Sequence, residues 1–455
     1  MSEPSPPRGL WASRTGFVLA AAGSAVGLGN VWRFPYITGE NGGGLFVLIY
    51  LACILLIGLP VMIAEIMIGR AAQRSTVSAF KNLAGPRTPW RALGGLGVVV
   101  AFLILSFYSV VAGWTIHYTL LSLRGLLGGR TPEEIQALFG GLYTSVPLNL
   151  VWTLAFLALT MAVVGRGVRN GLERWSRIMM PGLLVLLLVL LARATTMDGF
   201  GPAFGFVFGL HADSLTGGGV IEAMGHSFFT LSLGMGGLLT YGSYLRRDAD
   251  VPLMSVGIAG LDTLIALLAC LVIFPITFSY GIEPAEGAGL IFTSVPIAFA
   301  QMPAGGVLAT IFFALMVVAA LTSSISMLEV ATAYFIDEKG WSRSRATWIS
   351  GLTISALAIP SALSGATDLF GPRFASLAGR SWFELVADLA SNWSLPIGGM
   401  GMALFVAWRL PAALRREQFA SGSRFARGYA GWLIALRYVV PLAMLAVFGR
   451  AVGVF

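Results

Sequence analysis

The chain has little charge, few histidines and almost no cysteine. Of its 455 residues, 11% are charged, three are histidines and two are cysteines. Cys53 and Cys270 both lie in apolar runs, which indicates two buried small side chains and no disulfide framework. The histidines are scattered, and no metal-type or Ser/His/Asp spacing is present. We therefore do not expect an enzyme.

Apolar residues are abundant instead. They make up 56% of the chain, and the mean hydropathy is +0.82, which is typical of a polytopic membrane protein. A membrane-spanning helix needs about 20 apolar residues. By that measure the sequence predicts eleven spans, at residues 14–38, 44–69, 93–123, 148–165, 173–193, 218–245, 252–281, 305–336, 346–364, 382–408 and 429–453. The loops are short, so we expect residues 1–455 to form a single transmembrane domain.

The net charge of +8 does not indicate a nucleic-acid partner, because the basic residues are distributed unevenly along the chain. With the N-terminus inside, 21 of the 29 basic residues fall on the cytoplasmic side and six on the other. This positive-inside bias predicts a multi-pass protein of the inner cell membrane with a cytoplasmic N-terminus and, after eleven spans, an external C-terminus. The first nine residues are polar and Pro-rich, and the first span is long and Gly-interrupted, so we expect no cleaved signal peptide.

The first predicted span contains an unusual stretch. Residues 23–35 (GSAVGLGNVWRFP) place three glycines, an asparagine and an arginine in its middle. Glycine is a weak helix former, and unpaired backbone groups are tolerated at membrane depth only where they line a polar cavity. We predict that the helix is broken there.

A similar interruption recurs about two hundred residues later, in residues 228–237 (FFTLSLGMGG). Glycines also allow close packing of membrane helices, but two interrupted spans in corresponding places favour a transporter with inverted repeats and a central binding site. Spans 1–5 (about 14–193) and 6–10 (about 218–408) would be the repeats, followed by one extra helix (about 429–453).

At these positions the chain resembles the neurotransmitter:sodium symporter family, in particular its bacterial eleven-helix amino-acid transporters with the LeuT-type fold. The resemblance covers nearly the full length. It implies an all-α membrane protein that carries a neutral amino acid into the cell with Na⁺ by alternating access; a sodium-dependent sensor or a channel-like protein of the same fold is the alternative. The motifs that carry it are residues 11–14 (WASR), 23–35, 40–44 (ENGGG), Pro60 with Glu65, 69–70 (GR), 229–236, 241–244 (YGSY) and 321–324 (LTSS).

An amino acid is a zwitterion, so its binding site must provide partners for both charges. Amides exposed at a half-helix N-terminus would hold the carboxylate, and by resemblance Tyr108 would bond it; the alternative, an interfacial tyrosine, fits poorly because Tyr108 lies in mid-span. The residues expected to bind substrate are Ala25, Gly27, Leu28, Gly29, Ile104, Tyr108, Phe229, Thr230, Ser232, Met235, Ser323 and Met327.

None of these side chains is charged, which disfavours cationic and anionic amino acids. Family members that carry monoamines have an acid where this chain has Gly27, so a monoamine is not expected. Met235 is flexible and adapts to large side chains. Leucine, phenylalanine, tryptophan and tyrosine are therefore the expected substrates.

Na⁺ prefers hard oxygen ligands, as other hard cations do, and the resemblance implies two sodium sites. A Ser/Thr cluster in a span can instead bond only to its own helix. The first site would use Ala25, Asn30, Thr230 and Asp262 together with the substrate carboxylate, and the second would use Gly23, Val26, Ala319, Thr322 and Ser323.

Asp262 departs from the family pattern, because many members have Asn there. Chloride-dependent members have Ser where this chain has Ala266 and Gln where it has His226, although Tyr50 and Thr230 are kept. A fixed negative charge beside the sodium ion can replace chloride, so we predict chloride-independent transport. A buried aspartate could instead exchange a proton during the cycle.

The resemblance also implies gates. Arg33 and Asp388 would close the external path above a lid of Tyr108 and Phe229, although the spacing of Asp388 from Glu384 differs from the family form. Gly171 and Pro181 match a Gly-X9-Pro arrangement that unwinds the cytoplasmic end of span 5. The inner latch would consist of Arg8, Asp337, Ser243 and Tyr244, with a snorkelling anchor as the alternative role of Arg8.

Overall fold

The computed structural model describes residues 10–210, 215–281 and 289–453, and the regular structure in these ranges is entirely helical. Eight helices are long and apolar enough to cross a membrane, or ten if each of two bent pairs is one span. The predicted sixth span is not in that count, because residues 231–236 divide it into the helices Gly217–Thr230 and Gly237–Gly242. With this divided helix, every predicted span has a helical counterpart.

The spans follow the predicted order, and we number them accordingly. Span 1 is Arg14–Ala25 with Gly29–Glu40, and span 6 is the divided helix. The others are Gly44–Ala72, Trp90–Leu123, Val146–Val164 and Val168–Ala194 (spans 2–5), then Val251–Ser279, Gly305–Lys339, Arg343–Leu363, Trp382–Arg409 and Ala426–Ala451 (spans 7–11). Shorter helices in the connections are Thr76–Ala84, Pro132–Tyr143, Phe200–Phe208, Leu290–Gln301, Pro372–Ala378 and Ala412–Ala420.

Span 1 is interrupted at its glycine-rich stretch, as the sequence predicts. The Ser13 side chain caps its first helix by accepting a hydrogen bond from the Gly16 amide (2.9 Å). The helix ends at Ala25, because Val26 has extended backbone angles (φ −66°, ψ 110°). It resumes at Gly29 after a bend of 54°. The end of one half-helix and the start of the next therefore leave backbone groups without intrahelical partners.

Span 6 is interrupted more widely. Ser232, Gly234 and Gly236 have positive φ angles (53°, 90° and 79°), a conformation that glycine adopts without steric cost. A side chain on Gly234 would also collide with the Leu395 carbonyl of span 10. The Ser232 hydroxyl donates to the Ser24 carbonyl (2.9 Å), which joins the two interruptions.

The interrupted spans lie inside the bundle, where they contact span 8, while span 3 packs along span 8. Long apolar side chains cover the outside instead, including Leu55, Val151, Val185 and Leu442. A surface of this kind faces lipid in a membrane protein. The fold thus places backbone polar groups at its centre and hydrocarbon at its periphery.

Candidate functional site

A cavity of about 30 Å³ lies between the two interruptions. We name it the closed cavity, because all residues of its wall except Phe229 are buried. Leu28, the one predicted residue absent from its wall, lines an outer cavity instead. Leu395 of span 10 completes the wall, and no sequence signal assigned it to the site. The predicted residues that line the closed cavity are Ala25, Gly27, Gly29, Ile104, Tyr108, Phe229, Thr230, Ser232, Met235, Ser323 and Met327.

The amides of the first interruption are bonded to side-chain oxygens. The Gly27 amide donates to Asn30 Oδ1 (3.0 Å), and the Leu28 amide donates to Tyr108 Oη (3.2 Å). A β-carbon on Gly27 would lie 2.6 Å from Ser323 Oγ and 3.0 Å from Tyr108 Oη. The wall therefore has no room for an acidic side chain at position 27, and these amides are positioned to bind an anionic group.

Asn30, Thr230 and Asp262 are joined by hydrogen bonds, and Ala25 lines the cavity together with Thr230. We name these four residues the first oxygen cluster. Asn30 Nδ2 donates to Asp262 Oδ1 (2.7 Å), and Thr230 Oγ1 donates to Asp262 Oδ2 (3.0 Å). Ala25 ends its helix. Asn30, Thr230 and Asp262 are at most 1% exposed. A carboxylate this deeply buried needs such donors or a cation beside it.

The second oxygen cluster comprises Gly23, Val26, Ala319, Thr322 and Ser323. Ser323 Oγ lies 3.0 Å from the Val26 carbonyl and 3.3 Å from the Gly23 carbonyl. Thr322 Oγ1 bonds the Ala319 carbonyl of its own helix (2.9 Å) and lies 3.4 Å from the Val26 carbonyl. Five neutral oxygens from spans 1 and 8 thus converge, as ligation of a hard monovalent cation requires.

The positions at which this chain differs from chloride-dependent family members lie in a closely packed region. His226 and Tyr50 are 1% and 0% exposed, and their ring centroids lie 5.7 Å apart. Ala266 is fully buried on the same span as Asp262. Asp262, the acidic member of the first oxygen cluster, thus lies on the same span as Ala266.

Tyr108 and Phe229 separate the closed cavity from an outer cavity of about 220 Å³, since both residues line both spaces. The guanidinium carbon of Arg33 lies 4.8 Å from the centroid of the Phe229 ring. This cation–π geometry holds the arginine over the expected lid.

The expected external ion pair is not formed in this structure. Asp388 Oδ2 is paired with Arg380 at 2.9 Å, and Asp388 Oδ1 accepts a hydrogen bond from Asn392 (2.7 Å). The carboxylate is thus already bonded by two neighbours in the sequence. Arg33 and Asp388 nevertheless line one outer cavity of about 400 Å³. Their pairing in another state of the cycle stays a prediction.

On the predicted cytoplasmic side, the expected latch is only partly described, because Arg8 lies outside the described residues. Asp337 Oδ2 accepts a hydrogen bond from the Ser75 amide (2.6 Å), and Ser243 Oγ donates to the Thr240 carbonyl (2.7 Å).

Tyr244, the last member of the expected latch, is bonded to a buried ion pair that was not predicted from the sequence. Tyr244 donates from its hydroxyl to Glu329 Oε1 (2.6 Å), and Glu329 is paired with Arg343 at 2.7 Å. Glu329 is fully buried. A charged residue inside a predicted span is a functional signal in its own right, and it could have identified this group.

Two interrupted spans that enclose an apolar cavity, with two oxygen clusters beside it, define a secondary transporter that binds a small solute and a cation. The chain belongs to the sodium:neurotransmitter symporter family, whose characteristic sequence pattern matches residues 8–132 and 139–454. Members of this family are transporters and not enzymes, and sodium dependence is part of the family's description.

Three similar proteins support this assignment. The sodium-dependent transporter YhdH of Bacillus subtilis is 39% identical and covers 100% of this chain and 99% of its own length. A sodium-dependent transporter of Haemophilus influenzae is 32% identical, with coverage of 98% and 99%. The crystal structure of MhsT in complex with L-phenylalanine superposes with a TM-score of 0.88 at 41% identity, covering 97% of this chain and 99% of MhsT. The predicted LeuT-type fold is confirmed, whereas the exact boundaries of the two repeats stay a prediction.

Proposed function

We propose that the protein is a sodium-coupled symporter that carries large neutral amino acids, aliphatic or aromatic, into the cell without chloride. The observation that carries the proposal is the closed cavity, because it combines apolar side chains with helix-terminal amides and a neighbouring buried carboxylate. MhsT, which has the same fold, was crystallised with a hydrophobic amino acid.

The chemistry of the cavity wall favours this class of substrate. Ile104, Met235, Met327 and Leu395 present hydrocarbon and thioether groups to it. A charged substrate side chain would lose its hydration there without gaining a partner. The amides of Gly27 and Leu28 would release their present acceptors, Asn30 Oδ1 and Tyr108 Oη, and would donate to the substrate carboxylate instead. The Tyr108 hydroxyl would donate to that carboxylate as well.

The two oxygen clusters are the proposed sodium sites. A substrate carboxylate at the Gly27 amide would lie beside the first oxygen cluster, so solute and ion would stabilise each other's binding. The second oxygen cluster joins span 1 to span 8, and an ion there would hold the two spans together. Asp262 would supply the negative charge that chloride supplies elsewhere, which is the basis of the proposed chloride independence.

Uptake into proteoliposomes tests the proposal. An inward Na⁺ gradient is expected to drive accumulation of leucine, phenylalanine, tryptophan or tyrosine, and K⁺ in place of Na⁺ is expected to abolish it. Replacing chloride by gluconate should leave uptake unchanged; a collapse of uptake there would contradict chloride independence. Sodium-dependent binding without uptake or trans-stimulated exchange would indicate a sensor and overturn the transport proposal.

Competition binding would identify the preferred substrate. Each of the twenty amino acids is offered against labelled phenylalanine, with and without Na⁺. We expect effective competition from large apolar and aromatic amino acids and none from lysine or glutamate. Competition by charged amino acids would contradict the proposed reading of the cavity.

We propose a location in the inner cell membrane with the N-terminus in the cytoplasm. The charge distribution supports this orientation. A tag is added at the N-terminus, and intact cells are treated with a labelling reagent that does not cross the membrane. Labelling of the tag from outside would contradict the proposed cytoplasmic N-terminus.

A further inference from the structure

Span 11 contains an arginine that stacks on a tryptophan of span 10. Arg437 lies in a π-helical turn, Ala435–Val439, and its guanidinium carbon lies 4.9 Å from the centroid of the Trp408 ring. Trp408 belongs to a second π-helical turn, Phe405–Arg409, and the two turns pack against each other. Since π-turns are rare and often mark functional positions in helices, this pair is a candidate site.

The two side chains lie on the lipid-facing side of the bundle. Trp408 is 60% exposed, and Ile434 and Tyr438, which flank Arg437 in span 11, are each more than half exposed. Exposed side chains of this kind on a membrane span contact lipid. Charged residues in membrane spans usually face the interior of the bundle and pair with one another. Arg437 departs from that rule, because it lies among lipid-facing side chains.

The guanidinium of Arg437 has no anionic partner in the part of the chain that the structure describes. Within those residues, its Nε is shielded and has no hydrogen-bond acceptor, and no carboxylate forms an ion pair with the group. The ring of Trp408 attracts the cation, but such an interaction is weaker than a charge-assisted hydrogen bond. Since an arginine beside hydrocarbon is costly without compensation, the arrangement favours an anion from outside the chain.

The pair lies at the level where span 10 leaves the membrane. Span 10 ends at Arg409, the residue after Trp408, and the chain then bends by 114° into the helix Ala412–Ala420. Tryptophan is enriched at this depth, at the boundary between hydrocarbon and headgroups. Side chains of a helix lean toward its N-terminus, and span 11 begins at Ala426 on this same side. The long side chain of Arg437 therefore extends toward the headgroups, as intramembrane arginines do.

The connection between spans 10 and 11 carries the same sign of charge. Residues 409–428 contain five arginines and one acid, Glu417, and Arg416 and Arg427 are exposed. Basic clusters beside a membrane span attract anionic lipids. A second copy of the chain complements this surface poorly, because two-fold pairing would bring two basic surfaces together. Charge complementarity thus favours an anionic lipid over another copy.

We propose that Arg437 and Trp408 form a binding site for the phosphate of an anionic phospholipid, in the leaflet that borders the connection between spans 10 and 11. The guanidinium donates to the phosphate oxygens in the forked geometry that suits both groups. The Trp408 ring keeps the guanidinium in position, and the acyl chains lie along Ile434 and Tyr438. The site is separate from the closed cavity and from both oxygen clusters, so the inference goes beyond the proposed function.

Native mass spectrometry of the full-length protein in detergent tests the site. The protein is titrated with phosphatidylglycerol or with phosphatidylcholine, and the dissociation constant of the first bound lipid is measured. We expect phosphatidylglycerol to bind about tenfold more tightly, because phosphatidylcholine carries no net charge. An excess of inorganic phosphate is added in a third arm. It is not expected to displace phosphatidylglycerol, since the acyl chains contribute to binding.

Two substitutions change the site from its two sides. Arg437→Gln removes the cation and should weaken binding of the first phosphatidylglycerol about tenfold, because charge-assisted hydrogen bonds are lost. Trp408→Leu keeps the cation but removes the ring that holds it, and should weaken binding about threefold. Arg166→Gln is the matched control, since Arg166 is an exposed arginine of the connection between spans 4 and 5. It should bind as the parent chain does.

Only protein that elutes as a single species is compared, and Trp408→Leu decides the question if Arg437→Gln does not fold. Parent affinity for phosphatidylglycerol in either variant overturns the proposal. An equal loss in Arg166→Gln also overturns it, because binding would then follow total charge. Equal affinities of the parent chain for the two lipids, or displacement by inorganic phosphate, would exclude an anionic-lipid site.

The same spectra report the oligomeric state. A dimer of the parent chain that dissociates in Arg437→Gln would show that a second copy occupies this surface, and it would overturn the proposal. The measurement needs neither Na⁺ nor an amino acid, so its outcome is independent of the proposed transport function.

Discussion

The two oxygen clusters differ in charge and in the way their members are joined. The first oxygen cluster contains the carboxylate of Asp262, which accepts hydrogen bonds from Asn30 and Thr230. The second oxygen cluster contains only carbonyls and hydroxyls, and its members belong to two spans that meet side by side. The first adjoins the closed cavity through Ala25 and Thr230, while the second shares only Ser323 with the cavity wall.

This difference suggests separate tasks for the two clusters. A buried carboxylate provides most of the affinity for a cation but also makes that cation costly to release, because the charge is then left without compensation. Neutral oxygens bind a cation more weakly and release it as soon as water enters. We therefore expect the first oxygen cluster to control substrate binding and the second to control opening toward the cytoplasm.

The largest effect is expected from Asp262→Asn, which makes the first cluster as neutral as the second. Loss of the charge should lower sodium-dependent phenylalanine affinity about a hundredfold in chloride-free buffer. Affinity should return in part when chloride is added to the double variant Asp262→Asn with Ala266→Ser. Scintillation-proximity binding in chloride and in gluconate measures both effects. Unchanged affinity of the single variant in gluconate would show that the charge of Asp262 is not needed.

Thr322→Ala removes one neutral ligand from the second cluster. We expect the apparent Na⁺ affinity to fall about tenfold, because a neutral hydrogen-bonding oxygen contributes less than a charge does. Thr310→Ala is the matched control, since Thr310 lies on the same span and bonds only to its own helix at Gly306. A Na⁺ titration of phenylalanine binding checks the result, and equal affinities of the two variants would contradict a cation site at Thr322.

Leu395→Ala is expected to change substrate selectivity without changing Na⁺ binding at either oxygen cluster. Leu395 is 1% exposed, and its backbone is fixed against Gly234. A shorter side chain should therefore enlarge the cavity and raise the ratio of tryptophan to leucine affinity about fivefold to tenfold. The Na⁺ titration should be unchanged. Leu389→Ala, at a position that is 46% exposed, is the control. An equal shift of the affinity ratio in this variant would show that the effect does not arise in the cavity.

The smallest effect is expected from Pro181→Ala, which restores an amide hydrogen in span 5. A more continuous helix should slow release of the ion from the second cluster, by about threefold if one backbone hydrogen bond is gained. Stopped-flow measurement of Na⁺ release in proteoliposomes tests this. Unchanged transport together with unchanged Na⁺ affinity would count against unwinding at this proline.

The residues with a local signature were found from the sequence, and the members of the two oxygen clusters were assigned by resemblance to the family. Other residues that packing between distant spans places at the site were missed. The interruptions at Gly27 and Ser232 could be predicted, because glycine-rich polar stretches inside apolar runs are visible along the chain. Leu395 could not, since nothing distinguishes one leucine of span 10 from another until Gly234 lies against its backbone. The pairing of Asp388 with Arg380 shows the same limit, because several arginines were available and only the fold selects the nearest.

The sequence by itself determined that the chain crosses a membrane many times and that two of its spans are interrupted by glycine-rich stretches with polar residues. These properties follow from local composition, because hydrocarbon accepts only satisfied backbones and apolar surfaces. The tertiary structure alone decided which oxygens converge on one point and that Glu173 meets Ser13, which is 160 residues away in the sequence. Contacts of that kind depend on distances between spans, which side-chain volume and close backbone approach set only after the whole bundle has packed.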